Sequence, residues 1–161
     1  MKPATLSDIK KALTTLNHKE ISELCVRLAS FKKENKELLT YLLFEADNQA
    51  MYIKNVKEEI DHHFSLMARN IYFAKKTIRK ALRLTNNYIK FAANKQTEVE
   101  LLIYFCQSMN RCGLPVHDHP VTENIYNRQV LKIEKALQKL HEDLQYDYGR
   151  DLEILKSYQE E

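Results

Sequence analysis

Two glycines and three prolines in 161 residues leave little room for turns, and Lys, Glu, Leu, Ala and Gln fill most of the chain. That is the composition of a helical protein with few loops. So few glycines nearly exclude a backbone cradle for phosphate. No Gly-x-Ser-x-Gly elbow, Walker loop, dinucleotide fingerprint, His-Glu-x-x-His or Cys-x-x-Cys occurs either. The expectation is a protein that is not an enzyme and needs no cofactor. Cysteines number only three, an odd count, and Cys25 and Cys106 sit inside apolar helical patterns where a thiol packs as a small hydrophobe. A reducing cytoplasm is the expected home. No window approaches the roughly 18 uninterrupted apolar residues of a membrane-spanning helix, and the opening MKPATLSDIKKAL lacks a signal-type apolar run. The chain is expected to be soluble, with no membrane partner.

The sharpest absence is local. From His62 to Thr97 there is no Asp or Glu, while Arg69, Lys75, Lys76, Arg79, Lys80, Arg83, Lys90 and Lys95 supply eight positive charges. The whole chain is +3, so the other 125 residues carry −5. At 100° per residue, Ile71, Ala74, Ile78, Ala81, Leu82, Thr85, Ile89 and Ala92 gather on one side of a helix, with Tyr88 at its margin. Lys76, Arg79, Lys80, Arg83, Asn87 and Lys90, joined by Tyr72, fall opposite or at right angles to it. Two accounts are open: the stripe faces an anionic partner, or carboxylates of neighbouring helices and solvent neutralise it.

Around this segment the apolar spacing predicts about seven helices. Leu6, Ile9, Leu13 and Leu16 form a short first helix with Thr5 or Ser7 as cap, and Asn17 with Glu20 makes a capping-box start for a second, with Ile21, Leu24, Cys25, Leu28 and Phe31 as its core. After a polar break at residues 32–35, Leu38 to Phe44 is apolar nearly all round and is expected to be central. Asp47 and Asn48 start the fourth, with Met51, Tyr52, Val56, Ile60, Phe64 and Met67, and Asn70 separates it from the basic fifth. The sixth carries Val99, Leu102, Ile103, Phe105, Cys106 and Met109 and ends at Gly113. A loop at 113–121 holds two prolines, after which Thr122 caps a last helix. Its seam of Tyr126, Val130, Ile133, Leu137, Leu140 and Leu144 continues through Tyr148, Leu152 and Leu155, unless Gly149 interrupts it.

Residues 37–41 (ELLTY) recur in character at 100–104 (ELLIY), an offset of 63, and the following helices each place a Tyr and a Val four apart, Tyr52 with Val56 and Tyr126 with Val130. The all-α fold expected is therefore a short armadillo- or HEAT-like stack, with an irregular helical bundle as the alternative. One domain is expected over 1–148, with 149–161 as an acidic, helical C-terminal extension. Residues 141–161 carry seven acids against Arg150 and Lys156, so this tail either folds onto the basic helix or competes with an external anion for it.

Two further groupings carry ligand-type side chains. Cys112, His117, His119 and Glu123 lie in and beside the loop, without a recognised zinc spacing. Glu59 and His62 have the Glu-x-x-His spacing of di-iron bundles, but Gln138 stands where His141 would require Glu. Neither is taken as a metal site.

On the segments 32–49 (KKENKELLTYLLFEADNQ), 95–107 (KQTEVELLIYFCQ) and 140–148 (LHEDLQYDY), the chain resembles a family of small, uncharacterised helical proteins from Bacteroidetes-type bacteria. The resemblance implies a bacterial cytoplasmic protein and carries no activity, ligand or site residue. From the residues, the leading expectation is a binding or scaffold module using Tyr72, Lys76, Arg79, Lys80, Arg83 and Lys90 for an acidic protein or nucleic acid. The alternatives are a homodimer formed through the long C-terminal helix, and a metal-binding protein or enzyme using the 112–123 loop.

Overall fold

The computed structural model describes residues 2–159, and everything below concerns these. They are all-helical, with no strand: eight α-helices and one five-residue π-helical turn, divided into two compact units at Phe44/Glu45.

The first unit holds α1 (Leu6–Leu13), α2 (His18–Phe31) and α3 (Lys33–Thr40), with the π-turn Tyr41–Glu45 at its end. Its starts follow the sequence. Thr5 accepts from the Asp8 amide, and Asn17 and Glu20 form the reciprocal capping box. The break after Phe31 is one residue long, because Lys32 alone leaves helical geometry and α3 begins at Lys33. Asn35 then donates to the Leu28 carbonyl at 2.8 Å, tying α3 back onto the end of α2.

The expected cores of α2 and α3 are not buried. Leu24, Leu28 and Phe31 are exposed, as are Leu38, Leu42, Leu43 and Phe44, while Tyr41 is the one large apolar side chain of the 38–44 stretch that is buried. An apolar helix face states a need for burial, but so small a unit has too little chain to meet it.

The second unit is built round α6 (Lys95–Arg111). Val99, Leu101, Leu102, Ile103, Phe105, Cys106 and Met109 are all buried, and a helix that is apolar on nearly every side belongs in the middle. Around it stand α4 (Gln49–Ser65), α5 (Ile71–Ala92), α7 (Pro120–Leu137) and α8 (Glu142–Ser157), each in contact with it. The boundaries are set by asparagines: Asn48, Asn70 and Asn94 each accept a backbone N–H in the first turn of the following helix. Gly113 takes the left-handed φ of 73° that ends α6.

Three expectations about the C-terminal third are corrected. The last helix is two, separated at residues 138–141, with His141 accepting from the Asp143 amide to start α8. Gly149 does not interrupt it; α8 runs straight through, and nothing crowds that position. Pro120 rather than Thr122 opens α7, capped by His119, while the buried Thr122 hydroxyl donates to the Val116 carbonyl at 2.6 Å. Of the seam suggested for a homodimer, Tyr126, Val130, Ile133, Leu137, Leu152 and Leu155 are buried inside the unit, while Leu140, Leu144 and Tyr148 are half-buried. Residues 149–157 are thus part of α8 in the second unit, and the last two acids of the expected extension lie outside the described residues.

One backbone position is strained. Ala93 ends α5 with φ at 47°, left-handed, where a Cβ meets its own carbonyl. Ala93→Gly is expected to raise unfolding stability by about 1 kcal/mol, relief of the clash outweighing the extra chain entropy of glycine. Urea unfolding with an unchanged slope checks it, and a loss of stability would show the strain to be absent.

Candidate functional site

The basic helix divides as its periodicity requires. Ala74, Ile78, Ala81, Thr85 and Ile89 are buried, and the Thr85 hydroxyl is satisfied by the Ala81 carbonyl at 2.9 Å. α5 packs on α4, α6 and α7 through this side. Lys76, Arg79, Lys80, Arg83 and Lys90 are all exposed, and Asn87 is half-buried at the edge. From Lys76 to Lys90 the ridge runs about 21 Å along the helix.

What matters is which cations are already paired. Lys57 meets Glu100 at 2.6 Å, Lys95 meets Glu98 at 2.6 Å, Lys132 lies 3.9 Å from the same Glu98, and Lys156 meets Glu134 at 2.8 Å. Tyr148 donates to Glu100, and Tyr104 to Asp61. The carboxylates that are engaged in this way lie mainly around α6 and between α7 and α8. Among the described residues, none of Lys76, Arg79, Lys80, Arg83 and Lys90 meets a carboxylate at ion-pair distance. The acidic α8 packs on α6 and α7, and its one ion-paired lysine, Lys156, takes Glu134 and Glu153.

The electrostatic consequence is visible at His63, on α4. Its imidazole is held below the usual histidine range, first by burial and then by the positive charge of Lys80. Lys80 thus adds to burial in disfavouring the charged form of this imidazole.

At the N-terminal end of the ridge, Tyr72 is 69% exposed and Phe73 64% exposed, their rings edge to face at 5.5 Å. Lys75 sits over the Tyr72 ring at 4.6 Å. Phe73 was missed in the sequence. The signal was there, because Ala74 and Ile78 fix the inward side and leave no room for two consecutive aromatics ahead of them.

The loop histidines do not converge. His117 is held between the rings of Tyr126 and Tyr158, with its Nε2 2.9 Å from the Asn110 amide oxygen. His119 instead accepts the Val121 amide through Nδ1, and its Nε2 lies 3.4 Å from the Lys75 ammonium. No group of three His, Cys, Asp or Glu side chains able to hold a metal occurs among the described residues. The Glu59/His62 grouping has no convergence either, since His141 is occupied as the α8 cap.

Two of the three thiols, Cys106 and Cys112, are poor nucleophiles for a physical reason. Burial pushes the Cys106 thiol far above its ordinary range, and the half-buried Cys112 thiol is also raised by burial. In the native protein Cys106 is expected to stay unmodified by an aromatic disulfide reagent at pH 8 and to react only on denaturation. Rapid labelling of Cys106 before unfolding, read by peptide mass, would contradict its place at the centre of the unit.

No helix among the described residues is long and apolar enough to cross a membrane. No family model, curated protein or solved structure matches the chain.

Proposed function

We propose that this is a non-enzymatic binding module that docks a single-stranded nucleic acid along the exposed flank of α5. The observation that carries the reading is the run of five exposed cations along one flank of a single helix, none of them at ion-pair distance from a carboxylate among the described residues. Lys76, Arg79, Lys80, Arg83 and Lys90 supply the charge that neutralises phosphates, and Tyr72 with Phe73 supplies ring faces at one end of the track. An acidic protein surface would satisfy the same cations. The exposed ring pair favours nucleic acid, because stacking uses a face that a carboxylate surface leaves idle.

The architecture is read as a short armadillo- or HEAT-like stack. Supporting this, Tyr52 and Tyr126 are both buried and each donates to a carbonyl of another helix, at 2.8 Å to Tyr88 and 2.9 Å to Leu155. Val56 and Val130, four residues on, are buried beside them. A reducing bacterial cytoplasm is the compartment inferred, in keeping with three free cysteines.

The test is a fluorescence-anisotropy titration of a labelled oligothymidylate at several salt concentrations. Binding that weakens steeply with salt supports the proposal; no binding at low salt removes it.

A further inference from the structure

The first unit exposes apolar surface that the second unit's function does not use. Two grooves run between α2 and α3, and they differ in charge. One, of about 600 Å³, has Val26, Phe31 and Leu43 on its walls but is rimmed by Lys32, Lys33 and Lys36. The other, of about 250 Å³, is lined by Cys25, Leu28, Leu38 and Leu42 with no charged residue at all. Its one polar side chain with hydrogen-bonding groups, Asn35, already donates to the Leu28 carbonyl at 2.8 Å.

We infer that this charge-free face pairs with the same face of a second copy of the chain. Three observations choose that occupant. First, the face offers nothing to hold a charged or strongly polar ligand, and a two-fold pairing brings no like charges together across it. The lysine-rimmed groove, paired with itself, would do so. Second, leucines are spaced four apart on both helices, Leu38 with Leu42 in the groove's wall and Leu28 in the wall with the exposed Leu24 one turn before it. Such a pattern is its own complement, since ridges of one helix pair seat in the furrows of its copy as in a four-helix bundle. Third, the area is right. Leu24, Leu28, Leu38 and Leu42 are 39%, 62%, 37% and 56% exposed. A leucine is smaller than the aromatics that bury about 150–250 Å² each, so at about 150 Å² apiece these four present about 290 Å², and with the half-buried Cys25, Ala29 and Leu39 about 350 Å², of apolar surface. A standard interface buries about 800 Å² per partner, of which roughly 450 Å² is apolar.

The pairing also resolves a difficulty of the first unit itself, in which no residue of α1, α2 or α3 is buried. Docked on its copy, the helix pair acquires a core that its own length cannot supply.

Sedimentation equilibrium on the full chain tests this. A mass of twice 19.1 kDa is expected at about 100 µM protein, with a dissociation constant on the order of micromolar. Leu28→Glu with Leu42→Glu is expected to weaken association at least tenfold while helix content by circular dichroism is kept. Phe31→Glu with Phe44→Glu, on the lysine-rimmed side, is expected to leave it within twofold. A readout that needs no variant accompanies these: the wild-type constant should change less than twofold between low and high salt. A wild-type monomer at every concentration overturns the inference. So does a dimer that survives the Leu28/Leu42 pair, one that is lost only with the Phe31/Phe44 pair, or one that weakens tenfold with salt.

Discussion

Replacing Arg79 and Arg83 together by glutamate is expected to weaken binding to a single-stranded oligonucleotide by at least about 100-fold at 0.1 M salt. The magnitude follows from counterion release. Five cations on a single strand give a slope of log K against log salt of about −3.5, and removing two brings it to about −2. At 0.1 M salt that difference alone is worth about 25-fold, and reversal rather than neutralisation adds repulsion of similar size. Both arginines are exposed and without ion-pair partners, so the double variant should keep its fold, with stability within about 0.5 kcal/mol. Stability and binding therefore separate in one protein. A second readout lies at His63, whose imidazole is held low partly by Lys80. Phosphate drawn to Lys80 offsets that charge, so the His63 pKa should move upward in the complex, read from imidazole proton shifts. A double variant that titrates the oligonucleotide like the wild type, with the same salt slope, would end the proposal.

The basic helix was legible because two independent signals agree on it. Its apolar residues recur at 3.6, and its charges avoid that side, so Ala74, Ile78, Ala81, Thr85 and Ile89 were placed inside and the cations outside without reference to any neighbour. Two helix starts were legible for the same local reason, since Asn17 and Asn48 act on amides three residues away, and Asn70, read as a break, also caps the helix that follows it. What was not legible depends on chain far away. The seam from Tyr126 to Leu155 keeps helical spacing across residues 138–141, which contain neither Gly nor Pro, so the break that lets α8 turn back leaves no mark in the apolar pattern. Which acid takes which cation is equally non-local: Glu100 could have faced Arg79 or Lys57, and only packing decided for Lys57. In α2 and α3 the apolar spacing led to an expected core, yet Leu24, Leu28, Phe31, Leu38 and Leu42 are exposed, because spacing says nothing of what would cover that face.

Removing the Tyr126 side chain should be the most damaging single change in the second unit. Its ring is wholly buried, its hydroxyl donates to the Leu155 carbonyl at 2.9 Å and accepts from the Asn110 amide at 3.0 Å, and the His117 ring stands edge-on at 4.6 Å. One side chain so joins α6, α7, α8 and the 112–119 loop. Tyr126→Ala opens an aromatic-sized cavity and should cost about 3 to 5 kcal/mol. It also strips a partner from a carbonyl in the last turn of α8, where a helix has no backbone donors of its own left to offer. Tyr126→Phe keeps the ring and loses only the hydroxyl, for about 1 to 2 kcal/mol. The gap between the two variants in urea unfolding measures packing apart from hydrogen bonding. The pH dependence carries a separate signature, since burial pushes the Tyr126 hydroxyl up to about 12. An unfolded tyrosine ionises near 10, so between those values the unfolded chain sheds a proton that the folded one keeps. The stability this residue contributes is whole below about pH 10 and is lost by about 2 to 3 kcal/mol as pH rises through 12. Tyr126→Phe should remove that part of the alkaline slope and leave the rest. Were the Phe variant to lose stability above pH 10 as steeply as the wild type, the hydroxyl would not be the enclosed group that ties α8 to α6 and α7.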